Sequence, residues 1–396
     1  MTIPTKIKLP PSKSISQRAL YYNFLFGSST KLINLSIADD VKIFYEIKNK
    51  ILELSNNQKE VIINVNESGF WFRVLASSLP IYNTNFWLTG NKSLLKRDFT
   101  QLSKALLHLG IKITFSKEKF PVKVSGKLTS GNYIIDASFS SQHITGLLFA
   151  LSMLNDKSSL HLINPVSIPY IHTTIKLLNN FNLKIEYNNK ENTIYVFEKK
   201  KNSPPKTYYI ENDWSAAAFF AVYASIIKPL TLLDLTTKSI QGDSIIAKIL
   251  HNAGNTYTED KKSITFYPGQ QKSINVDLSN YPDLFPPLVV YSAFAKGTSI
   301  LKGANRLINK ESNRAKALVK ELSLLGIDIK LINNNIVVKG QSKIRPSKLS
   351  SHNDHRIAMA IAIISAISKE KISIDNTDCV NKSFPNFFDE IKKLEQ

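Results

Sequence analysis

Apolar residues recur along this chain in two alternating rhythms. Stretches with a helical period close in a short polar turn, and a run of alternating residues follows, the pattern of a strand with one face covered. Residues 43–54 precede the run 61–65, and 102–109 precede 110–115. The grammar returns at 174–180 before 183–187, at 246–252 before Gly254, and at 318–325 before 326–331. Glycine after a last helical turn is expected there, because it accepts the left-handed backbone that ends a helix. A sixth helix is predicted at 387–394, with no strand after it. The spacing of about 60–75 residues marks a tandem α/β module rather than a short solenoid repeat.

The missing last strand suggests a place for residues 3–9, a short alternating run that stands before any helix. It is expected to pair within the C-terminal half and close it. Pro204-Pro205 and the polar run 199–206 mark the midpoint, and Glu211-Asn212-Asp213 opens the second half. The expected domains are 1–11 plus 212–396, and 12–211. A chain that crosses between domains near Pro11 and near Asn212 makes a hinge, and a cleft at a hinge is a usual place for a ligand.

Composition narrows the function classes. With 396 residues, 43% of them hydrophobic and 21% charged, two full cores fit. Cys379 is the single cysteine and the seven histidines are dispersed, so neither an intrachain disulfide nor a zinc site is indicated, and a reducing cytoplasm is expected. The start lacks an apolar signal core, and the longest apolar run, 216–227, falls short of the ~20 residues that span a bilayer, so no membrane role is expected. The net charge of +20 invites a nucleic-acid reading. The lysines are spread evenly, without an Arg-rich run, a basic tail or an aromatic stacking box, so the excess reads as solvated surface and no nucleic acid is expected as partner.

Candidate chemistry lies in six cations at the edges of apolar stretches: Lys13, Arg18, Arg73, Arg97, Arg314 and Arg356. Guanidinium forks and ammonium groups recognise phosphate and carboxylate, so the set predicts a site for a multiply anionic small substrate. Ser12-Lys13-Ser14 precedes the helical run 16–26, and Ser140-Ser141-Gln142 precedes 144–153. Each serves equally as a plain serine cap or as an anion site at a helix N-terminus. Without preceding glycines the first is no Walker A loop. Asp283, after Tyr281-Pro282, and Glu311 are the acids placed among these cations; for Glu311 the alternative is a surface helix residue paired with Lys310 or Arg314.

Taken in order, these motifs resemble the enolpyruvyl transferase family, in the branch whose acceptor is shikimate 3-phosphate. The resemblance rests on Pro11-Ser12-Lys13-Ser14 with Arg18, Leu88-Thr89-Gly90 with Arg97, Ser140-Ser141-Gln142, Lys310-Glu311, Asp354-His355-Arg356 and Lys382-Ser383-Phe384-Pro385, and it runs nearly end to end. It implies an α/β fold of two domains, each of three βαβαββ-type units in an inside-out α/β barrel, with the active site in the interdomain cleft and closure on substrate binding. It implies enolpyruvyl transfer from phosphoenolpyruvate by addition and elimination, by a cytoplasmic monomer without metal or organic cofactor. For shikimate 3-phosphate it implies Ser14, Arg18, Ser140, Ser141, Gln142, Ser167, Tyr170, Asp283 and Lys310. For phosphoenolpyruvate it implies Lys13, Gly69, Arg97, Gln142, Arg314, Arg356 and Lys382. Asp283, Glu311 and Lys13 would move protons, and His355 would orient its neighbours.

One stretch departs from the family pattern. Glu67-Ser68-Gly69-Phe70-Trp71-Phe72-Arg73 stands where many members read Asn-Ala-Gly-Thr-Ala-x-Arg. Gly69 and Arg73 keep their spacing, but a bulky Phe70 replaces a small polar residue, which predicts a changed affinity for glyphosate, the family's competitive inhibitor. The sister branch acting on UDP-N-acetylglucosamine uses a cysteine in its N-terminal half and a Lys-Asn pair near the start; here Lys13-Ser14 stands instead and Cys379 lies near the end. A non-catalytic anion- or nucleic-acid-binding protein would keep the cations yet have no use for Asp283 and Glu311.

Overall fold

Helices of two kinds alternate along the chain, and the difference decides which of them carry site residues. The computed structural model describes residues 4–56, 61–198 and 203–394. Thr100–Leu107, Ile168–Asn180, Ile245–Asn252 and Arg314–Leu324 each bury one stripe and expose the other, as amphipathic spacing dictates. Gly69–Ser78 is buried at every position, and Gln142–Leu151, Trp214–Ile226, Phe285–Phe294 and His355–Ser368 at nearly every one. A helix apolar all round belongs inside a core.

Both kinds enter one repeated motif. Among the described residues, four sheets have four strands each. In one, Val61–Asn64 runs parallel to Phe86–Thr89, which pairs antiparallel with Val122–Gly126, itself antiparallel to Ile111–Phe115. The buried helix Gly69–Ser78 connects the parallel pair, and the amphipathic Thr100–Leu107 leads to the hairpin. Asn132–Asp136 with Ser158–Ile163, and Asn275–Asp277 with Thr298–Lys302, open two further copies of this βαβαββ unit. Two shorter copies stop at a pair of parallel strands, Lys348–Leu349 with Ser373–Ile374 and Thr207–Tyr209 with Lys31–Ile33.

The leading strands of two copies are exchanged in chain order. Thr5–Ile7 is followed by the helix Lys13–Leu25 but pairs with Leu230–Leu233, parallel. Thr207–Tyr209 is followed by Trp214–Ile226 but pairs with Lys31–Ile33. Pro11 and Asn212 bridge where the two connections pass. The N-terminal run therefore opens the motif of Trp214–Ile226 and does not fill the place after Phe387–Lys392; Ile3 and residues 199–202 of the polar midpoint run lie outside the described residues.

The chain divides into two compact units, Met1–Lys13, Ser36–Asp39 and Glu211–Gln396 in one, and Ser14–Leu35 and Asp40–Ile210 in the other. Lys13 thus groups with the unit of Asp283 and Glu311, whereas the expected division at 11 and 212 set it with Ser14. The core of the first unit gathers Trp214, Phe219, Phe220, Phe285, Tyr291 and Ile361 from the buried helices. No described helix is long and apolar enough to cross a membrane.

Candidate active site

In the first unit the site is built around one arginine. Arg314 opens the helix Arg314–Leu324, capped by Asn313, whose side chain accepts from Lys316 N–H. Its side chain is 1% exposed and makes four bonds to carboxylates. Nε donates to Asp354 Oδ2 at 3.0 Å and Nη2 to Asp354 Oδ1 at 3.1 Å, a fork-on-carboxylate pair. Nη2 also donates to Glu311 Oε2 at 2.7 Å, and Nη1 to Asp283 Oδ1 at 3.1 Å. Burial alone would lower the Arg314 pKa, but Asp354, Glu311 and Asp283 outweigh it and hold the guanidinium charged.

Asp283 is the mirror image of that arrangement. It sits in the short 3-10 helix Pro282–Leu284 ahead of Phe285–Phe294. Its carboxylate meets Arg314, Lys310 Nζ at 3.3 Å and Arg356 Nη2 at 3.2 Å. Burial would raise its pKa, but Arg356, Lys310 and Arg314 together hold it far below the ordinary carboxylate range. Lys310 is lowered by burial, then by Arg314 and Arg306, against the pull of Asp283 and Glu311.

Asp354 does two tasks at once. It caps the helix His355–Ser368 by accepting from Arg356 N–H at 3.0 Å, and it anchors Arg314 and Ser312 Oγ. Arg356 Nη1 is buried without a hydrogen-bond partner, and so are both ring nitrogens of His355. Burial, then the charges of Lys13, Arg356 and Arg314, push the His355 pKa well below its usual value, so the ring is neutral. Lys13 N–H donates to Asp213 Oδ2 at 3.2 Å, and Asp213 caps Trp214–Ile226. Lys382 ends the 3-10 helix Asp378–Lys382 and is buried.

In the second unit the cations rest on neutral oxygens. Arg18, in Lys13–Leu25, donates Nε to Thr174 Oγ1 at 2.8 Å, Nη1 to Ser14 O and Oγ at 2.8 and 2.6 Å, and Nη2 to Thr145 Oγ1 at 3.3 Å. Its guanidinium lies over the Phe70 ring, 5.1 Å from the centroid. Burial lowers its pKa to about 10, slightly countered by Tyr170, and no carboxylate is among these contacts. Arg73 Nη1 donates to Gly69 O at 3.1 Å and to Gln142 Oε1 at 2.9 Å, with Phe99 under its guanidinium at 5.1 Å. Arg97 Nη2 reaches Glu67 O at 3.4 Å, and its buried Nε has no partner.

Gly69 explains how Arg73 and Arg97 reach this place. A Cβ there would stand 2.8 Å from Arg73 Nη1 and closer still to Arg97 Nη1, so a larger residue would push both guanidinium tips out of their present positions. Ser140 Oγ accepts from Gln142 N–H at 3.1 Å at the start of Gln142–Leu151, while Ser141 caps that helix without a side-chain bond. Ser167 holds a left-handed backbone, φ 54°, before Ile168–Asn180, the helix that carries Tyr170 and Thr174.

The structure therefore gathers Asp283, Lys310, Glu311, Arg314 and Arg356 in one cluster, with Lys13 and His355 acting electrostatically on each other beside it. It gathers Ser14 with Arg18, and Gly69, Arg73, Arg97 and Gln142, in the other unit. Three residues that hold these groups carried no role in the sequence reading: Asp354, Thr145 and Thr174. Asp354 was detectable as an acid just ahead of a helix, an N-cap position; the threonines gave no signal.

A family model described as EPSP synthase (3-phosphoshikimate 1-carboxyvinyltransferase) matches residues 2–391. The chain belongs to the EPSP synthase family. A curated relative named 3-phosphoshikimate 1-carboxyvinyltransferase from Clostridium perfringens is 30% identical over 405 residues, covering 98% of this chain and 95% of its own. One of the same name from Pyrococcus abyssi is 32% identical over 398 residues, covering 98% and 94%. The solved EPSP synthase of Acinetobacter baumannii has a TM-score of 0.75 at 21% identity over 99% of this chain and 96% of that one, a likeness of fold. EPSP synthase membership makes the chain a transferase of the shikimate pathway, with phosphoenolpyruvate and shikimate 3-phosphate as substrates.

Proposed function

We propose that this chain moves the enolpyruvyl group with the residues that the motifs single out, drawn from both compact units. The observation that carries the reading is Asp283 held by Arg314, Lys310 and Arg356, an acid kept ionised among cations beside Glu311. Shikimate 3-phosphate is bound by Ser14, Arg18, Ser140, Ser141, Gln142, Ser167, Tyr170, Asp283 and Lys310. Phosphoenolpyruvate is bound by Lys13, Gly69, Arg97, Gln142, Arg314, Arg356 and Lys382. The buried, unpartnered Nη1 of Arg356 and Nε of Arg97 support that division, since an anion's oxygens would satisfy them.

The chemistry follows from the charges. The 5-hydroxyl oxygen bonds to C2 of phosphoenolpyruvate while C3 gains a proton and the hydroxyl loses one. The tetrahedral intermediate then breaks its C2–O bond to phosphate as C3 gives up a proton, restoring the enol ether. Asp283 takes the hydroxyl's proton as the oxygen bonds to C2 and, held far below the ordinary carboxylate range by its cations, passes it on to the departing phosphate. Glu311 and Lys13 carry protons to and from C3, and neutral His355 orients its neighbours. The cations stabilise charge developing on phosphate without reorganising, the main electrostatic contribution such a site supplies.

The enzyme acts as a cytoplasmic monomer in this reading. The test is phosphate release from purified protein given both substrates, with UDP-N-acetylglucosamine as the control acceptor. Release only with shikimate 3-phosphate, lost in Glu311→Gln, supports the assignment; release with the nucleotide sugar, or none from folded protein, ends it.

A further inference from the structure

The segment that delivers Asp354, His355 and Arg356 is held from outside the site. Glu321, two turns beyond Arg314 on the same helix, is 2% exposed. Its Oε2 accepts Ser350 N–H at 2.9 Å and its Oε1 lies 2.7 Å from His352 Nε2. Asp375, just past the strand Ser373–Ile374, grips the same turn from the other side. Its Oδ1 accepts Ser351 N–H at 2.7 Å and Ser351 Oγ at 3.0 Å, and its Oδ2 accepts Ser350 Oγ at 2.6 Å.

The turn needs that support. His352 and Asn353 are consecutive non-glycine residues in the left-handed region, at φ 52° and 53°, a backbone that side chains disfavour and that persists only where surroundings fix it. Asp354 N–H then returns to Ser351 O at 2.9 Å, which sets the position of the helix cap. One face of the helix Arg314–Leu324 thus holds residues 350–354 at both ends, Glu321 at the start and Arg314 at Asp354, since residues seven apart share a face.

We propose that Glu321, seconded by Asp375, is a positioning residue that fixes the strained turn before Asp354 and so sets where Arg356 meets phosphoenolpyruvate. It touches no substrate. The effect on turnover rests on the function proposed above; the effect on the turn does not.

The test measures hydrogen exchange of the backbone amides of residues 350–356, and the KM for each substrate, in wild type, Glu321→Ala, Glu321→Gln and Asp375→Ala. Glu321→Ala is expected to speed exchange at Ser350 by 10-fold or more, as loss of a bond to a charged group does. The acceleration should also reach Asp354 and Arg356, which Glu321 does not bond. KM for phosphoenolpyruvate should rise on the order of tenfold, KM for shikimate 3-phosphate and kcat changing little, because small displacements of a substrate-holding group cost that much. Glu321→Gln, which keeps an acceptor for Ser350, should restore both. Asp375 is exposed, so Asp375→Ala folds and should act in the same direction with smaller size. Exchange confined to Ser350, or an unchanged KM, overturns the proposal. Should wild type release no phosphate, the function proposed above fails, while spread or confinement of exchange still decides the clamp.

Discussion

Two ways of keeping an arginine charged inside a protein stand side by side in this chain. In the second unit Arg18 rests on the hydroxyls of Ser14, Thr145 and Thr174 and on the face of Phe70. In the first, Arg314 is locked between Asp354, Glu311 and Asp283. Neutral cradles leave a positive charge uncompensated, so an incoming anion gains the full interaction. Carboxylate cradles cancel the charge and instead hold acids ionised and oriented. The first arrangement suits gripping phosphate; the second suits handling protons.

Removing each arginine breaks the comparison most directly. Arg314→Met leaves three carboxylates facing one another without their common partner, and should cost about 3–5 kcal/mol of stability, visible as a large drop in urea midpoint. Arg18→Met should leave stability within about 1 kcal/mol, because the freed threonines keep each other and the carbonyls of Ser141 and Tyr170 as partners. A comparable stability loss in both variants would erase the distinction.

Acid sharpens it next. Burial pushes buried His143, whose Nε2–H donates to Asp136 O at 2.9 Å, down to about pKa 4 from an ordinary 6.5. Because its folded value is the lower, the unfolded chain binds the proton first. Stability is unaffected above pH 6.5 and falls as pH drops from 6.5 to 4, by about 3 kcal/mol at most. Asp283 also has a depressed folded value, but its contribution is present above the ordinary carboxylate pKa, about 4, and is lost only as pH falls below it. His143→Gln should therefore flatten the pH 4–6.5 region of the urea-midpoint curve, while Asp283→Asn should lower the curve above pH 4 and flatten it below. The reverse assignment would contradict the charge analysis.

Binding gives the next effect. Arg18→Met should weaken shikimate 3-phosphate by roughly 10- to 100-fold in calorimetric titration, the loss of charge-assisted bonds to phosphate. The smallest effect is expected at Phe70. Replacing it with Leu removes an aromatic face worth about 1 kcal/mol to Arg18, so shikimate 3-phosphate should bind about fivefold more weakly, and Phe70→Tyr should bind normally. Equal binding by the Leu variant would reduce Phe70 to packing alone.

How much of this was legible before the structure depends on contrast along the chain. Amphipathic helices such as Arg314–Leu324 show a polar face and were read within a few residues. Trp214–Ile226 and Phe285–Phe294 offer no such contrast and read only as apolar runs, although they make up the cores. Leading strands such as Asn275–Asp277 are three residues long and partly polar, too short for periodicity to register. The site cations and acids were visible through their motifs. Their supports were not, since Thr145, Thr174 and Glu321 act through helix faces that meet only in three dimensions.

The exchanged strands bear on the order in which the chain can be finished as it is made. Among the described residues, 14–210 hold every strand of their own unit, the last of them being Thr207–Tyr209. Thr5–Ile7, synthesised before all of it, has no partner until Leu230–Leu233 appears, more than half a chain later. That strand is thus made early and put to use late, and a C-terminal fragment beginning at 211 would be born with an open sheet edge. Producing that unit alone calls for stitching residues 4–11 onto it.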